Sequence, residues 1–257
     1  MNVAVEKPAS GPHPANLAQS KPFYSLEGWT LVIKGLLFVG VGLCVVSIGL
    51  MIGIFQSANA LNGPNVAGIK EMAAGMMLVS LGQLLTGAIA GLALLAWIYK
   101  AYSNLPALDA GSLRFAPVVA LLLCLVPVIN IVVTLFLLIE IWRESDPARL
   151  DPAGHHRSSD GVVYAWFAVT LLVLCGAGYS FLTNMQRTEP QDLFEATLVG
   201  IGVTSLAIVQ SILLIWIVGA VCVNQIVRRN LALNPVKPPV VKRMPEFPGT
   251  GPGLGVR

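Results

Sequence analysis

The feature that most constrains this chain is a set of five long apolar blocks, residues 29–56, 72–98, 116–141, 162–183 and 193–226, almost free of charge. About 20 apolar residues cross a ~30 Å hydrocarbon core as helix, so each block is long enough to span. A backbone surrounded by lipid must satisfy its own hydrogen bonds, and continuous apolar runs do this as helices. The expected fold class is therefore all-α. It is a polytopic membrane helix bundle over residues 23–230, with five hydrophobic helical segments of which at least four span. Composition points the same way: 55% of the residues are hydrophobic and 11% are charged, against about 25% charged in soluble chains.

The flanks differ in kind. Residues 1–22 and 231–257 are polar and rich in Pro and Gly, with too little to bury, and are expected to be disordered tails. No cleavable signal peptide is apparent, because the first block is too long and lacks a small-residue cleavage site; it should stay in the bilayer as an anchor. Two PxxP spacings, Pro235 to Pro238 and Pro245 to Pro248, are read as solvated tail in preference to a polyproline docking site. The net charge of +3 lies largely in the C-terminal tail. Anionic lipid accounts for it without nucleic acid.

Charge also bears on how the chain lies in the membrane. Lys and Arg near membrane segments favour the cytoplasm. If all five blocks cross, the better orientation divides the basic residues ten against six. If block 3 enters and leaves by one face, all but Lys70 and Arg187 gather on the same side. Block 3 offers a place to turn in "LVPVIN", where Pro127 lacks a backbone donor and Asn130 brings an amide. Re-entry is favoured over a helix that is kinked at Pro127 and spans. Both arrangements put the C-terminal tail in the cytoplasm, and the expected location is the plasma membrane.

Block 2 ends in "WIYKAYSNLP". Trp97, Tyr99 and Tyr102 read as rings at the headgroup level, with Lys100 meeting lipid phosphate and Asn104 closing the helix. Block 3 ends in "EIWRESDP", where Glu140 and Arg143 stand i,i+3 to pair and Trp142 marks the boundary. Trp29 and Trp166 lie at other block ends. Small residues recur as well. Gly35, Gly42 and Gly49 fall seven apart, Gly75 and Gly82 repeat at the same interval, and Gly49–Gly53 and Gly87–Gly91 are GxxxG pairs. Such faces permit close helix packing, here of blocks 1 and 2 on each other, or self-association and contact with other membrane proteins.

These motifs resemble a bacterial family, the domain of unknown function 4328, whose members carry W-x-Y-[RK]-A-Y-x-N-L, F-V-P-I-x-N-L and E-[IL]-W-R-x-S. The corresponding stretches here are "WIYKAYSNL" at 97–105, "LVPVINI" at 125–131 and "EIWRESDP" at 140–147, with "RFAP" at 114–117 and a closing helix ending "NQIVRRN". Two departures stand out. The family's aromatic "GWxxGWW" stretch is "VVALLLC" at 118–124, and its proline four residues after the asparagine is Thr134. The resemblance implies a multi-pass membrane protein and carries no established activity.

Catalytic chemistry has little to stand on. Ionisable groups inside the blocks, which mark functional sites in membranes, reduce to Lys34, Glu140 and Glu195, all near block ends. The four cysteines, Cys44, Cys124, Cys175 and Cys222, lie singly in apolar blocks and read as small hydrophobes. His155 and His156 sit in a polar loop without further ligands at metal spacing, and no cofactor is implied. The central polar residues are amides: Gln83, Asn130 and Gln210, with Ser80 and Thr86 nearby. Interhelical hydrogen bonding is their ordinary role. The expectation is a non-enzymatic scaffold or accessory subunit of a membrane complex, with a channel or uniporter for a small solute as the alternative.

Overall fold

In this computed structural model, the structure describes residues 22–59, 65–108, 113–150, 159–186 and 192–233. The tails, the PxxP spacings and His155-His156 lie outside the described residues. Four helices are long and apolar enough to cross a membrane. They are α1 (Glu27–Ala58), α2 (Val66–Asn104), α5 (Gly161–Gln186) and α6 (Asp192–Leu233). Between α2 and α5 come a 3-10 turn at Leu105–Leu108, α3 (Pro117–Cys124), α4 (Pro127–Ser145) and a 3-10 turn at Pro147–Leu150. No strand occurs among the described residues. α1 packs between α2 and α6, and α5 packs on the far flank of α6.

The third apolar block is two helices, and the chain folds back between them. Pro127 opens α4, and Val126 before it is extended at φ −82° and ψ 115°. Proline disfavours helical backbone in the residue it follows. Val126 N still bonds Leu123 O at 3.3 Å, and Asn130 N bonds Val126 O at 2.7 Å, so the break leaves both helix ends bonded. The reversal is fixed by contacts that a continuous helix could not make. Arg114 N donates to Glu140 Oε1 at 3.2 Å; in one unbroken helix these residues would stand about 39 Å apart. Nearer the tip, Cys124 Sγ and Thr134 Oγ1 are 3.8 Å apart. Both ends of the α3/α4 hairpin therefore lie at one end of the bundle.

That same end holds the core. The buried cluster draws on the start of α1 (Leu26, Ile33), the end of α2 (Trp97, Ile98, Tyr102), the later turns of α4 (Leu137, Ile141), the start of α5 (Val163) and the later part of α6 (Ile217, Val221). Away from it, large apolar residues stay open: Met77 is 76% exposed and Leu78 72%. Helix length explains the division. The four helices have 32, 39, 26 and 42 residues, about 39–63 Å at ~1.5 Å per residue, which exceeds a ~30 Å slab. Turns within lipid need no cover for their apolar sides, whereas overshooting turns must bury theirs against each other. The packed end is termed the cap below.

Two expectations are revised. Trp97, Trp142 and Trp166 do not turn their rings outward as lipid-facing side chains would: they are 0%, 4% and 6% exposed. Neighbouring helices overshoot alongside them and enclose the rings. The glycine faces divide. A Cβ on Gly75 would touch Leu50 and one on Gly82 would touch Leu43 across the α1/α2 contact, whereas Gly35, Gly42, Gly49, Gly87 and Gly91 have nothing within 4 Å. Only part of the small-residue pattern is spent on packing within the chain.

Candidate functional site: a polar node in the cap and two intramembrane cavities

Asn104 is the last residue of α2 and is fully buried. Its Oδ1 accepts from Tyr24 N at 2.7 Å, and its Nδ2 donates to Tyr24 O at 2.9 Å. These bonds clamp the segment entering α1. Nδ2 also donates to Gln225 Oε1 at 3.0 Å. Gln225, on α6 and also fully buried, donates from Nε2 to Ala101 O and to Ser145 Oγ, both at 3.1 Å. Ser145 ends α4, and Arg228 beside it donates to Glu144 O. Two amides thus tie together the start of α1 and the ends of α2, α4 and α6. Buried amides are stable only when their donors and acceptors are met, and this node meets them with side chains drawn from distant parts of the sequence.

The other motif residues brace the node. Trp97 Nε1 donates to Thr30 Oγ1 at 3.1 Å, and Tyr102 Oη accepts from Phe115 N at 3.3 Å. Tyr99 is half-buried in the last turns of α2. Lys100 Nζ lies 5.1 Å from the Trp29 ring centroid, and Arg229 stacks 4.2 Å from that of Phe23, two cation–π contacts at the cap rim. The expected Glu140–Arg143 pair is replaced. Glu140 accepts from Arg114 N, and Arg143 bonds Asp160 through Nε at 2.7 Å and Nη2 at 2.6 Å. The fold-back brings residue 114 to Glu140, and the start of α5 brings Asp160 to Arg143. Donating to Asp160 holds the pKa of the Arg143 guanidinium above its ordinary value. With 38% of the Arg143 side chain exposed, the pair contributes no more than ~1 kcal/mol.

The three central amides do not meet. Gln83 Nε2 lies 3.6 Å from Cys44 Sγ, Asn130 Oδ1 accepts from Thr134 Oγ1 at 2.7 Å, and Gln210 Nε2 donates to Thr170 Oγ1 at 3.0 Å. Gln83 lines a cavity of about 360 Å³ between α1, α2 and α6, with Cys44, Thr86 and Ser211. Asn130 lines another of about 380 Å³ between α2, α4 and α5, with Thr134, Trp166 and Thr170. Gly87 borders both. No group of His, Cys, Asp and Glu suited to a metal occurs among the described residues. All four cysteines are free thiols.

Gln225 and Ser145 were not singled out from the sequence. The signal lay in an amide at the end of the last apolar block, but its partner Asn104 is 121 residues away. The two departures from the family pattern meet at the hairpin. Cys124 closes "VVALLLC" and Thr134 stands for the proline, and these two residues face each other across the turn.

Four helices able to cross a bilayer, a hairpin anchored at both ends and a buried polar node define a multi-helix membrane protein. The chain belongs to the family described as Domain of unknown function (DUF4328), whose profile matches residues 66–222. That match takes in α2 through most of α6, and so both amides' helices. No curated protein and no solved structure matches the chain.

Proposed function

We propose that this protein is a non-catalytic scaffold or accessory subunit of a membrane complex. The observation that carries the reading is the cap: the Asn104–Gln225 node joins four elements into one rigid platform. Fully buried Trp97, Tyr102, Leu105, Leu137 and Ile141 fill the space behind it. The cap is also the basic end, carrying Lys100, Arg114, Arg143, Arg228 and Arg229, whereas Lys70 stands at the start of α2. By the positive-inside rule the cap faces the cytoplasm, with the C-terminal tail, in a bacterial inner membrane. The hairpin then dips into the cytoplasmic leaflet and returns.

The test is purification of the full-length chain from its native membranes in mild detergent, with quantitative mass spectrometry of what accompanies it. A membrane protein in fixed ratio, lost on charge reversal of exposed Arg114 and Arg229, is expected. A lone species overturns the reading. The two cavities favour a second reading, a route for a small neutral solute. The filled cap stands across such a route, and solute flux into proteoliposomes of the purified chain would decide for it.

A further inference from the structure

A third cavity, of about 220 Å³, lies at the rim of the cap, where the chain enters α1 and α6 nears its end. Glu27 and Arg229 both line it, and both are exposed. Their side chains meet no hydrogen-bond or ion-pair partner among the described residues, each other included. The Arg229 guanidinium is nonetheless placed: it stacks 4.2 Å from the ring centroid of Phe23, which lines the same cavity. Stacking uses the flat face of the guanidinium and leaves the N–H groups at its edge free to donate. Exposed Ser25 adds a hydroxyl. The rest of the wall includes buried Leu26 and Cys222, and Gln225, whose amide is spent within the node.

Two opposite charges that share a cavity without closing on each other suit an occupant carrying one of each. A bare anion would meet the Glu27 carboxylate, and a bare cation the Arg229 guanidinium. We propose that this cavity binds a phosphoethanolamine group, with its phosphate on Arg229 and its ammonium on Glu27. A primary ammonium donates to the carboxylate. A choline group has no N–H to donate, and the one ring among the lining residues already carries Arg229. A phosphate without an amine, as in phosphatidylglycerol, leaves Glu27 unmatched. Two sources share the chemistry: the headgroup of phosphatidylethanolamine and free phosphoethanolamine. The level of the cavity favours the lipid. Phe23 just precedes α1 and Arg229 lies in the last turns of α6, which overshoot a ~30 Å hydrocarbon core into the polar layers that widen it to ~40–45 Å. The site does not depend on the scaffold reading, since a lone polypeptide could hold such a group equally well.

The test is native mass spectrometry of the full-length chain released from nanodiscs of dioleoyl phosphatidylethanolamine, phosphatidylcholine and phosphatidylglycerol in equal parts. A second arm incubates the detergent-purified chain with phosphoethanolamine. Retention of one phosphatidylethanolamine in preference to the other two lipids is expected; capture of phosphoethanolamine alone would assign the same site to the soluble source. Arg229→Gln should weaken retention about tenfold, the worth of one charge-assisted hydrogen bond. Glu27→Gln should erase the preference over phosphatidylglycerol. Lys100→Gln, at the cap rim but outside the cavity, should change neither. Glu27 has no part in the co-purification test, so the two readings fail separately. If Arg229→Gln fails to accumulate, Glu27→Gln decides alone. No preference for phosphatidylethanolamine together with no capture of phosphoethanolamine, or a preference that survives the substitutions of Arg229 and Glu27, overturns the assignment.

Discussion

Truncating Asn104 to alanine should destabilise the cap by an amount that can be worked from its partners. Three hydrogen bonds are lost. Two go to the backbone of Tyr24 in bonds that are only part-buried, so water can replace them at little cost. The third strands Gln225 Oε1, which is fully buried, at about 1–3 kcal/mol. The void left by the amide adds about 1 kcal/mol, for a total of about 2–4 kcal/mol. Gln225→Ala should cost a similar amount, because it leaves Ala101 O and Ser145 Oγ without their donor. The double variant is the decisive measurement. Once one amide is gone, removing the other strands less, so the combined loss should fall short of the sum by about 1–2 kcal/mol. Unfolding in mixed detergent and dodecyl sulfate micelles, followed by tryptophan emission, reads the four stabilities, since Trp97 and Trp142 lie in the cap. Additivity within about 0.5 kcal/mol would refute the claim that the two side chains act through a shared bond.

Three further outcomes are expected. A Cβ on Gly176 would lie 2.5 Å from Val203 Cγ2 on α6, so Gly176→Ala should cost about 1–3 kcal/mol of overpacking, whereas Gly42→Ala, in open space, should be neutral in the same unfolding assay. With the native cysteines replaced, single cysteines at Arg114 and Ser159 should react with a membrane-impermeant maleimide from one side and a cysteine at Val66 from the other; opposite sides for the first two would exclude the hairpin. Asp160→Asn removes the partner of a partly exposed Arg143 and should lower stability by less than ~1 kcal/mol; a larger loss would mean that the pair is more shielded than it looks.

Much of this architecture was legible because lipid imposes a length and a hydropathy on every crossing. The expected segment 29–56 became α1 at Glu27–Ala58, and 162–183 became α5 at Gly161–Gln186. Segment 72–98 fell short of α2 at Val66–Asn104, because "YKAYSN" looks like a surface when nothing in one sequence says that three other helices run beside it. Pro127 announced a break, and the imbalance of Lys and Arg favoured a return. The contacts that fix the reversal join residues 26 and 10 positions apart, beyond any helical periodicity. Asn104 was noticed as a helix terminus and not as the centre of a network, since its role depends on Gln225, which periodicity assigns simply to the end of an apolar run. The amides Gln83, Asn130 and Gln210 face different neighbours, which side-chain type alone does not reveal.

The doubled-back third segment also bears on how such a chain is inserted. In the proposed orientation, neither end of α3 or α4 needs to be translocated, so the residues carried to the far side are the helix ends and two short connections. One, at 59–65, is "NALNGPN" without a charge; the other, at 187–191, is "RTEPQ", in which Arg187 and Glu189 offset each other. The electrostatic work of export is thereby kept small, while nearly all the chain's cations stay on the side where synthesis takes place.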